Sequence, residues 1–474
     1  MSGAAERASS TAAFTLEEVL AATGGDVAVV PTRLRFPGVV TDTRTLAPGE
    51  LFVAIRGETH DGHAFIDEAA RRGAGAVVVE RADPLPSCGV IVVRDTLGAL
   101  GDLAALHRQR LRPRVVAITG SNGKTTTKEM LAAILERACG SGHVLRTQGT
   151  QNNLVGLPLT LLRLSESETV AILELGMNGP GEIWRLAEIA APDVGVITCV
   201  APAHLEGLGS IHGVAQAKAE LYRRLRPSAT AVFNADDVLV TEAVEAFPGR
   251  KVPFATSKAA TVSARDIVDR GLDGVDFQLV VEGRVAPVRL GVPGCHNVTN
   301  ALAAAAAAHA LGVDLEAVHS ALETFQAPGM RMEVVQLQSG VTVLNDAYNA
   351  NPASMAAALR TLSASRGRRR LAALGEMREL GAEAPRAHRE VGAAAAAAQL
   401  DALFLLGELA TEVRSGAEAA GMPAERIVVA RNHQDLAARL RADLRPGDLL
   451  LLKGSRGAAM EEVLRQLVGA EARP

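Results

Sequence analysis

The sequence has few aromatic residues and few cysteines. Aromatic residues make up 3% of the 474 residues, with a single tryptophan. The four cysteines, Cys88, Cys139, Cys199 and Cys295, are widely separated and form no CxxC pair and no Cys/His cluster at zinc spacing. This pattern excludes a disulfide framework and a structural zinc site and favours a reducing compartment. We expect each cysteine to be a buried apolar residue.

Long apolar runs and a large net charge are also absent. No run reaches the roughly 18 to 20 apolar residues that span a bilayer, and the nearest, 391–406, is mostly alanine and contains Gln399 and Asp401. The N-terminus carries Glu6 and Arg7 without the apolar stretch of a signal peptide. The formal net charge is −4, so no basic field indicates nucleic acid or an anionic membrane as a partner. We expect a soluble, cytoplasmic protein without membrane insertion.

Lysine is scarce, since 43 of the 49 basic residues are arginine. Arginine therefore serves wherever only a positive charge is needed, and a remaining lysine has a raised chance of a role that a guanidinium cannot fill. The six lysines are Lys124, Lys128, Lys218, Lys251, Lys258 and Lys453.

Three α/β segments follow one another along the chain, which agrees with the domain number expected at roughly 150 residues each. In the second segment, short buried strands alternate with helices, a pattern typical of a mostly parallel sheet covered on both faces. Residues 260–293 instead alternate like antiparallel strands at a sheet edge. We predict an α/β fold with a small N-terminal domain, a central parallel-sheet domain and a C-terminal Rossmann-like domain, at 1–112, 113–327 and 328–474.

A glycine-rich turn joins a buried strand that ends at Thr119 to a helix that begins near Thr125. Amide N–H groups at such a helix N-terminus cradle phosphate, a lysine reaches the β- and γ-phosphates, and a threonine hydroxyl binds Mg²⁺. The spacing is shorter than the common GxxxxGK[ST] pattern, and a plain glycine turn is the alternative. The strand–turn–helix context favours ATP binding by Gly120, Ser121, Asn122, Gly123, Lys124, Thr125 and Thr126.

Glu174 and His204 suit phosphoryl transfer, and Lys218 is a further candidate from the lysine count. Glu174 ends an apolar strand, where a carboxylate can bind Mg²⁺, although a strand-end residue with only structural contacts is the alternative. His204 follows another strand and suits a metal or phosphate contact, although a single histidine is more often structural. Lys218 lies on a predicted helix and, by itself, indicates only a solvated lysine.

A series of motifs in a fixed order, from about residue 35 to 457, resembles the Mur ligase family of ATP-dependent amide-forming enzymes in peptidoglycan synthesis. The resemblance extends to the stretches TDTRTLAPGELFVAIRGETHDGHAF, QNNLVGLPLTLL and GEMRELGAEAPRAH. It implies ligation of D-alanyl-D-alanine to UDP-N-acetylmuramoyl-tripeptide through an acyl phosphate, the last cytoplasmic step of precursor synthesis, by a monomer. The ordered motifs are TGSNGKTT, ELG, AHLEG, AKAEL, NADD, GCHNVTNALAA, GMRMEV, NDAYNANPASM and LLKGSRG.

The resemblance also implies roles for individual residues. Lys218 is implied to be carbamylated by CO₂ and to hold a second Mg²⁺, which requires the neutral amine that a desolvated lysine, unlike arginine, can supply. Arg331 and Lys453 are the candidates for stabilising the charge that develops in the reaction. Lys124, Lys218 and His204 are also implied to be catalytic residues. Residues implied to face the nucleotide are Asn297, Asn300, Asp346, Tyr348 and Asn349.

The first segment resembles the anchor for the UDP-sugar. Hydroxyl, carboxylate and guanidinium groups suit uracil and pyrophosphate, and Asn152 and Asn153 are implied to contact the sugar or peptide. Turn and strand-end structure is the alternative for these short motifs. The anchor residues are Thr41, Asp42, Thr43, Arg44, Gly57, Glu58, Asp61, Gly62 and His63.

Two other functions remain as alternatives. One is a different amide ligase of the same superfamily, against which the TDTR segment and the motif at 346–352 argue. The other is a protein that uses ATP as a switch, which Lys124, Glu174, Lys218 and Lys453 together disfavour.

Overall fold

The computed structural model describes residues 12–57, 60–83 and 86–471. Its strands form four sheets, and helices connect many of the strands. The N-terminal five-stranded sheet has the order β2-β7-β6-β5-β4, parallel except for β2, and β1 and β3 pair separately. Its helices are α1 (Leu16–Thr23), α2 (Ile66–Arg71) and α3 (Thr96–Leu111). The strands are β1 (Phe14–Thr15), β2 (Asp26–Val29), β3 (Arg35–Phe36), β4 (Val39–Val40), β5 (Leu51–Val53), β6 (Ala76–Val79) and β7 (Gly89–Val92).

A nine-stranded sheet follows in the order β16-β15-β14-β13-β12-β11-β8-β10-β9. Strands β8 to β14 are parallel, and β15 and β16 add an antiparallel edge, as predicted for 260–293. Its strands are β8 (Arg114–Thr119), β9 (Val144–Arg146), β10 (Val170–Glu174), β11 (Val194–Ile197), β12 (Thr230–Asn234), β13 (Arg250–Ala255), β14 (Val262–Asp269), β15 (Val275–Val281) and β16 (Arg284–Leu290). Its helices are α4 (Lys124–Cys139), α5 (Gly156–Leu161), α6 (Glu182–Ala190), α7 (Leu205–Leu208), α8 (Ile211–Arg224), α9 (Val238–Glu245), α10 (His296–Ala310) and α11 (Leu315–Glu323).

The C-terminal six-stranded sheet has the order β17-β18-β22-β19-β20-β21, and only β17 is antiparallel to its neighbour. Its strands are β17 (Glu333–Gln336), β18 (Thr342–Asp346), β19 (Arg370–Gly375), β20 (Ala402–Leu406), β21 (Ile427–Ala430) and β22 (Leu449–Lys453). Its helices are α12 (Pro352–Ala364), α13 (Ala384–Ala397), α14 (Ala410–Ala419), α15 (His433–Asp443) and α16 (Glu461–Glu471). Short 3₁₀ turns lie at Gly62–Phe65, Gly271–Asp273, Gly381–Glu383, Ala424–Arg426 and Arg456–Ala458.

Apolar packing joins the sheets to one another. One buried cluster contains Val116 of β8 and Leu451 of β22, and a second contains Ile91 of β7 and Leu173 of β10. Burial of apolar surface at about 25 cal/mol per Å² is the main favourable term for such contacts. Because the clusters continue from sheet to sheet, apolar contacts connect the central sheet to the C-terminal and N-terminal sheets.

The predicted α/β class with largely parallel sheets is confirmed, whereas the domain boundaries at 112 and 327 stay a prediction. The expectation that every cysteine is buried is wrong, because Cys139 and Cys295 are exposed. Cys139 is the last residue of α4, and Cys295 directly precedes the first residue of α10, and both of these helix ends are exposed. In the described part of the chain, no helix combines the length and apolarity needed to cross a membrane.

Candidate active site

The glycine-rich turn lies between β8 and α4 and depends on two glycines. Gly120 and Gly123 have φ angles of +151° and +83°, which side chains with a Cβ rarely adopt. A Cβ on Gly120 would also collide with Thr198 Oγ1, and one on Gly123 with Asn300 Oδ1. The turn therefore fits only because the backbone is bare at both positions.

Neighbouring loops hold the turn in place. Thr198 Oγ1 donates to the Asn122 carbonyl at 2.6 Å. Ser121 Oγ donates to the Ala201 carbonyl and accepts from the Ala201 N–H, both at 2.9 Å. No side chain caps the N-terminus of α4, so its first amide groups are available to an anion, as in phosphate-binding loops.

Lys124 lies at the start of α4 and folds back over the turn. Its Nζ donates to the Gly120 carbonyl at 2.8 Å. Burial lowers the pKa of Lys124, the carboxylate of Glu174 opposes that shift, and the nearby Arg331 charge adds to it. The ammonium therefore lies in a pocket where a phosphate would supply the missing negative charge.

Glu174 is held by three hydrogen bonds at the carboxyl end of β10, where its side chain is 3% exposed. Thr125 Oγ1 donates to Oε2 at 2.7 Å, and Asn152 Nδ2 donates to Oε1 at 2.9 Å. The backbone N–H of Glu174 donates to Thr147 Oγ1 at 3.0 Å. A buried carboxylate beside a hydroxyl is a donor set that suits Mg²⁺.

Protein ligands alone do not build a metal site here, because the described residues contain no group of three or more histidine, cysteine or acidic side chains that could hold a metal ion. Mg²⁺ commonly keeps several waters and binds one or two carboxylates together with substrate phosphates. Glu174 and Thr125 fit that kind of site, which is completed by the nucleotide.

Lys218 lies on α8 and is only 2% exposed. Among the described residues, no hydrogen bond or ion pair to its ammonium is found. Burial lowers the pKa of Lys218 to about 7, and repulsion from Lys124 contributes to the shift. A large part of the amine is therefore neutral at neutral pH, which is the form that reacts with CO₂.

His204 has a left-handed backbone conformation, with φ +55°. Its Nδ1 lies 2.6 Å from Glu379 Oε2 in the C-terminal part of the chain, and this contact lowers the pKa of Glu379. The N–H of Glu206 donates to the Glu379 carbonyl at 3.3 Å. The histidine loop is thus fixed against the C-terminal sheet.

The C-terminal sheet contributes two cations. Lys453 Nζ, at the end of β22, donates to Asp346 Oδ2 at 2.5 Å and to the Asn349 carbonyl at 2.9 Å. The Arg331 guanidinium lies 3.9 Å from the ring centre of Tyr348, a cation–π arrangement. The Lys453 charge is partly compensated by Asp346, whereas Arg331 is held by stacking alone among the contacts described for its guanidinium.

Asn297 and Asn300 form a buried ladder at the start of α10. Asn300 Nδ2 donates to Asn297 Oδ1 at 2.9 Å, and Asn297 Nδ2 donates to the Pro293 carbonyl at 2.8 Å. Both side chains line the cleft, so the ladder fixes the cleft wall directly beside the glycine-rich turn.

These groups meet in one cleft of about 500 Å³ between the central and C-terminal sheets. Three residues predicted for this region do not line it: Gly120, Lys218 and Asn153. Asn153 Oδ1 instead accepts from the N–H groups of Val155 and Gly156. The predicted residues that line the cleft are Ser121, Asn122, Gly123, Lys124, Thr125, Thr126, Asn152, Glu174, His204, Asn297, Asn300, Arg331, Asp346, Tyr348, Asn349 and Lys453.

The predicted UDP-sugar residues lie apart from the cleft, beyond the carboxyl ends of the parallel strands β4 and β5. Asp42 Oδ2 accepts from Arg44 Nη2 at 2.6 Å, and the Arg44 side chain is 83% exposed. Thr41 is half-buried and Thr43 is buried. Carboxyl ends of adjacent parallel strands are the usual place for a ligand of an open α/β sheet.

A second group follows β5. His63 Nδ1 lies 2.7 Å from Asp61 Oδ1, and its Nε2 accepts from the Glu80 N–H at 3.1 Å. Gly57 N–H donates to the His60 carbonyl at 2.8 Å, and a Cβ on Gly62 would lie 2.7 Å from the Ile55 nitrogen. Glu58, also predicted here, lies outside the described residues. The described residues of this group lie at the same sheet edge as Asp42.

Comparison with known proteins decides the family. Residues 35–108, 118–308 and 330–456 match profiles described as "Mur ligase family, catalytic domain", "Mur ligase middle domain" and "Mur ligase, glutamate ligase domain". The UDP-N-acetylmuramoyl-tripeptide--D-alanyl-D-alanine ligase of Bacillus subtilis (strain 168) is 36% identical over 435 residues, or 91% of this chain and 93% of the relative. This chain belongs to the Mur ligase family.

Solved structures agree with this assignment. MurF from Acinetobacter baumannii matches with a TM-score of 0.89 and 32% identity, over 97% of this chain and 100% of that one. MurF from Thermotoga maritima, determined in complex with ADP, matches with a TM-score of 0.81 and 28% identity, over 91% and 97%. The fold of this chain is therefore similar to that of solved MurF structures over nearly its whole length.

Sequence reasoning missed several residues of this Mur ligase cleft, above all Asn351 and His296. Asn351 caps α12 through Ser354 and pairs with Asn122. An asparagine directly before a proline at a helix start is an N-cap signal, and it marks Asn351 in the printed sequence. His296 begins α10, and burial lowers its pKa; no local signal separates it from a structural histidine.

Proposed function

We propose that this Mur ligase joins D-alanyl-D-alanine to UDP-N-acetylmuramoyl-tripeptide at the expense of ATP. The observation that carries the proposal is the single cleft in which a phosphate-binding turn, a buried carboxylate and two cations from the C-terminal sheet face one another. Relatives that match over nine-tenths of the chain carry the name of this ligase.

The first step activates a carboxylate, which by itself is a poor electrophile because its leaving group would be oxide. A carboxylate oxygen of the tripeptide terminus attacks the γ-phosphorus of ATP. The bond to the β-phosphate oxygen breaks, ADP leaves, and an acyl phosphate forms. The N-terminus of α4 and Lys124 bind the phosphates and offset the negative charge that develops.

Mg²⁺ is part of the proposal, and when bound it would neutralise charge on the phosphates. Glu174 and Thr125 would hold it, because their oxygens meet at the rim of the turn. Lys218 is proposed to carry a carbamate, whose oxygens would hold a second Mg²⁺. Its burial, its pKa of about 7 and its lack of a described partner support this role.

In the second step, the amine of D-alanyl-D-alanine attacks the acyl carbon and forms a tetrahedral intermediate. The nitrogen loses a proton, the carbon–oxygen bond to phosphate breaks, and the amide is formed. Arg331 and Lys453 are proposed to stabilise the tetrahedral oxyanion and the departing phosphate. His204 is proposed to contact the metal or a phosphate through the ring edge that faces away from Glu379. Because the site is divided between the central and C-terminal sheets, closure of the two parts around the substrates is proposed to keep water from the acyl phosphate.

The UDP-sugar is proposed to bind at the N-terminal sheet, beside Thr41, Asp42, Thr43, Arg44, Gly57, Asp61 and His63. Asn152 and Asn153 are proposed to contact the sugar or peptide between the two sites. The domain division at 1–112, 113–327 and 328–474, a monomeric state and a cytoplasmic location complete the proposal.

Phosphate release from ATP tests the function directly. We expect phosphate release only when UDP-N-acetylmuramoyl-tripeptide and D-alanyl-D-alanine are both present. The acyl phosphate forms on the tripeptide, and the amine of D-alanyl-D-alanine displaces phosphate from it. Equal release with either substrate omitted would contradict the proposal and support a protein that hydrolyses ATP as a switch.

A further inference from the structure

Lys128 is a buried lysine close to the candidate active site that has no part in the reaction described above. It lies on the second turn of α4, and its side chain is 1% exposed. Its Nζ donates to the Thr147 carbonyl at 2.6 Å. A buried ammonium is costly unless it is paired and hydrogen-bonded, so its position requires a compensating set of contacts.

Glu129 compensates the charge of Lys128, and a network of ion pairs that continues through Arg146 connects α4 to β9. Glu129 Oε1 lies 2.8 Å from Lys128 Nζ, and Glu129 Oε2 lies 3.2 Å from Arg146 Nε. Arg146 Nη1 in turn lies 2.6 Å from Glu136 Oε1 on the same helix. The network fixes the end of β9 against the helix that begins in the glycine-rich turn.

Thr147 connects this network to Glu174. It directly follows β9, is fully buried, and its N–H donates to the Ile172 carbonyl at 3.1 Å. Its Oγ1 accepts from the Glu174 N–H at 3.0 Å. The same segment continues to Asn152, whose amide donates to Glu174 Oε1 at 2.9 Å. Two of the three hydrogen bonds to Glu174 thus come from residues 147–152.

We propose that Lys128 is a positioning residue that holds the segment 147–152, so that Thr147 and Asn152 orient the Glu174 carboxylate toward Thr125. The inference rests on the proposed role of Glu174 as a Mg²⁺ ligand. Lys128 does not line the cleft, and its described contacts reach Glu174 through Thr147 and the network of Glu129 and Arg146.

The residue type supports this role. An ammonium is compact and carries its donors at the end of an apolar stem, whereas the planar guanidinium is larger and cannot enter the same space without displacing neighbours. In a chain with 43 arginines among 49 basic residues, a fully buried lysine marks a position where arginine is excluded.

The test compares Lys128→Met, which keeps the volume of the stem, with Thr147→Val, which removes the hydroxyl that accepts from Glu174. Two quantities are measured: the Mg²⁺ concentration that gives half of the maximal ligation rate, and hydrogen–deuterium exchange of residues 147–153 without substrates. Lys251→Met is the matched control. Lys251 Nζ also donates to a backbone carbonyl, that of Glu245 at 2.8 Å, but the Lys251 side chain is exposed.

We expect both variants to raise the Mg²⁺ requirement by about 10- to 100-fold, the range typical when a partner of a metal ligand is removed. KM for D-alanyl-D-alanine should stay unchanged, and exchange in 147–153 should become faster in Lys128→Met. The double variant should be no worse than the more severe single one, since both changes act on one linkage. Lys251→Met should match the unmodified protein.

A purely structural lysine gives a different result. Wild-type Mg²⁺ requirement and exchange in Lys128→Met would overturn the proposal, whether or not the melting temperature falls. If Lys128→Met does not fold, a wild-type Mg²⁺ requirement in Thr147→Val overturns it instead. Absence of ligation in the unmodified protein would refute the proposed function, and the exchange comparison would still test the linkage.

Discussion

Asn351 and Asn122 are paired side chain to side chain across the cleft, although they lie 229 residues apart in the chain. Asn351 Nδ2 donates to Asn122 Oδ1 at 2.8 Å. Asn122 belongs to the glycine-rich turn, and Asn351 caps α12 of the C-terminal sheet. The contact therefore couples the position of the C-terminal cations to the loop proposed to bind phosphate.

A variant that keeps the N-cap role of Asn351 but loses its hydrogen bond to Asn122 tests this coupling. Serine is as good an N-cap as asparagine but is too short to reach Asn122, so Asn351→Ser should keep the melting temperature while kcat falls by about ten- to a hundredfold through misplacement. Asn351→Ala should in addition lose about 1 kcal/mol of stability with the cap. Wild-type kcat in the serine variant would contradict the coupling.

Removal of the Lys124 ammonium should affect the first chemical step. Without it the phosphates lose a donor inside a buried site, and we expect Lys124→Ala to lower kcat by about 10²- to 10³-fold. Steady-state ligation assays check this. Lys258→Ala is the control, because Lys258 is exposed and donates to the Ala235 carbonyl. Equal losses in both variants would argue against a phosphate role.

In the absence of CO₂, the buried Lys218 amine should lower the free energy of unfolding, and the size of this effect should depend on pH. Its folded-state pKa is about 7 against an ordinary value of 10.5, so below pH 7 the folded protein holds a buried charge at full cost. Between these values the cost declines, and above 10.5 it vanishes. In CO₂-free buffer, Lys218→Met should therefore raise the melting temperature more at pH 6 than at pH 9. A gain independent of pH would contradict this account.

Lys218→Arg tests the carbamate, because a guanidinium keeps the charge but cannot form one. We expect loss of ligation by about 10²-fold or more, comparable to removal of a metal ligand, and no response to added bicarbonate. The unmodified enzyme should be activated by bicarbonate after degassing. Near-normal turnover of the arginine variant would exclude the carbamate role.

The N-terminal site should govern affinity for the nucleotide sugar alone. Arg44→Ala removes an exposed guanidinium that is held in place by Asp42, and charge-assisted bonds to phosphate are among the stronger ones. We expect KM for UDP-N-acetylmuramoyl-tripeptide to rise by about tenfold or more, with KM for D-alanyl-D-alanine unchanged. Arg71→Ala, which removes an exposed guanidinium in the last turn of α2, serves as the control.

Features set by local sequence could be predicted. The strand that ends at Thr119, the turn at Gly120 and Gly123, and Glu174 at the end of its strand were each found where their patterns placed them. Glycine torsions, apolar runs and helix starts act over a few residues, so the printed sequence contains their signals. The fold class followed from the same alternation.

Contacts between distant residues could not be predicted in this way. The Asn122–Asn351 pair, the His204–Glu379 contact and the buried position of Lys128 all depend on how separate sheets pack. The exposure of Cys139 and Cys295 was missed for a related reason, since both lie at helix ends whose location follows from the tertiary fold. Residue type alone indicates burial only on average.

The mass of the product tests the central claim most directly. Incubation with ATP, Mg²⁺, UDP-N-acetylmuramoyl-tripeptide and D-alanyl-D-alanine should yield a nucleotide heavier by one dipeptide less one water, together with ADP and phosphate in equal amounts. Lys124→Ala should yield almost none of it. An unchanged nucleotide mass with continued ATP hydrolysis by the unmodified protein would contradict the account.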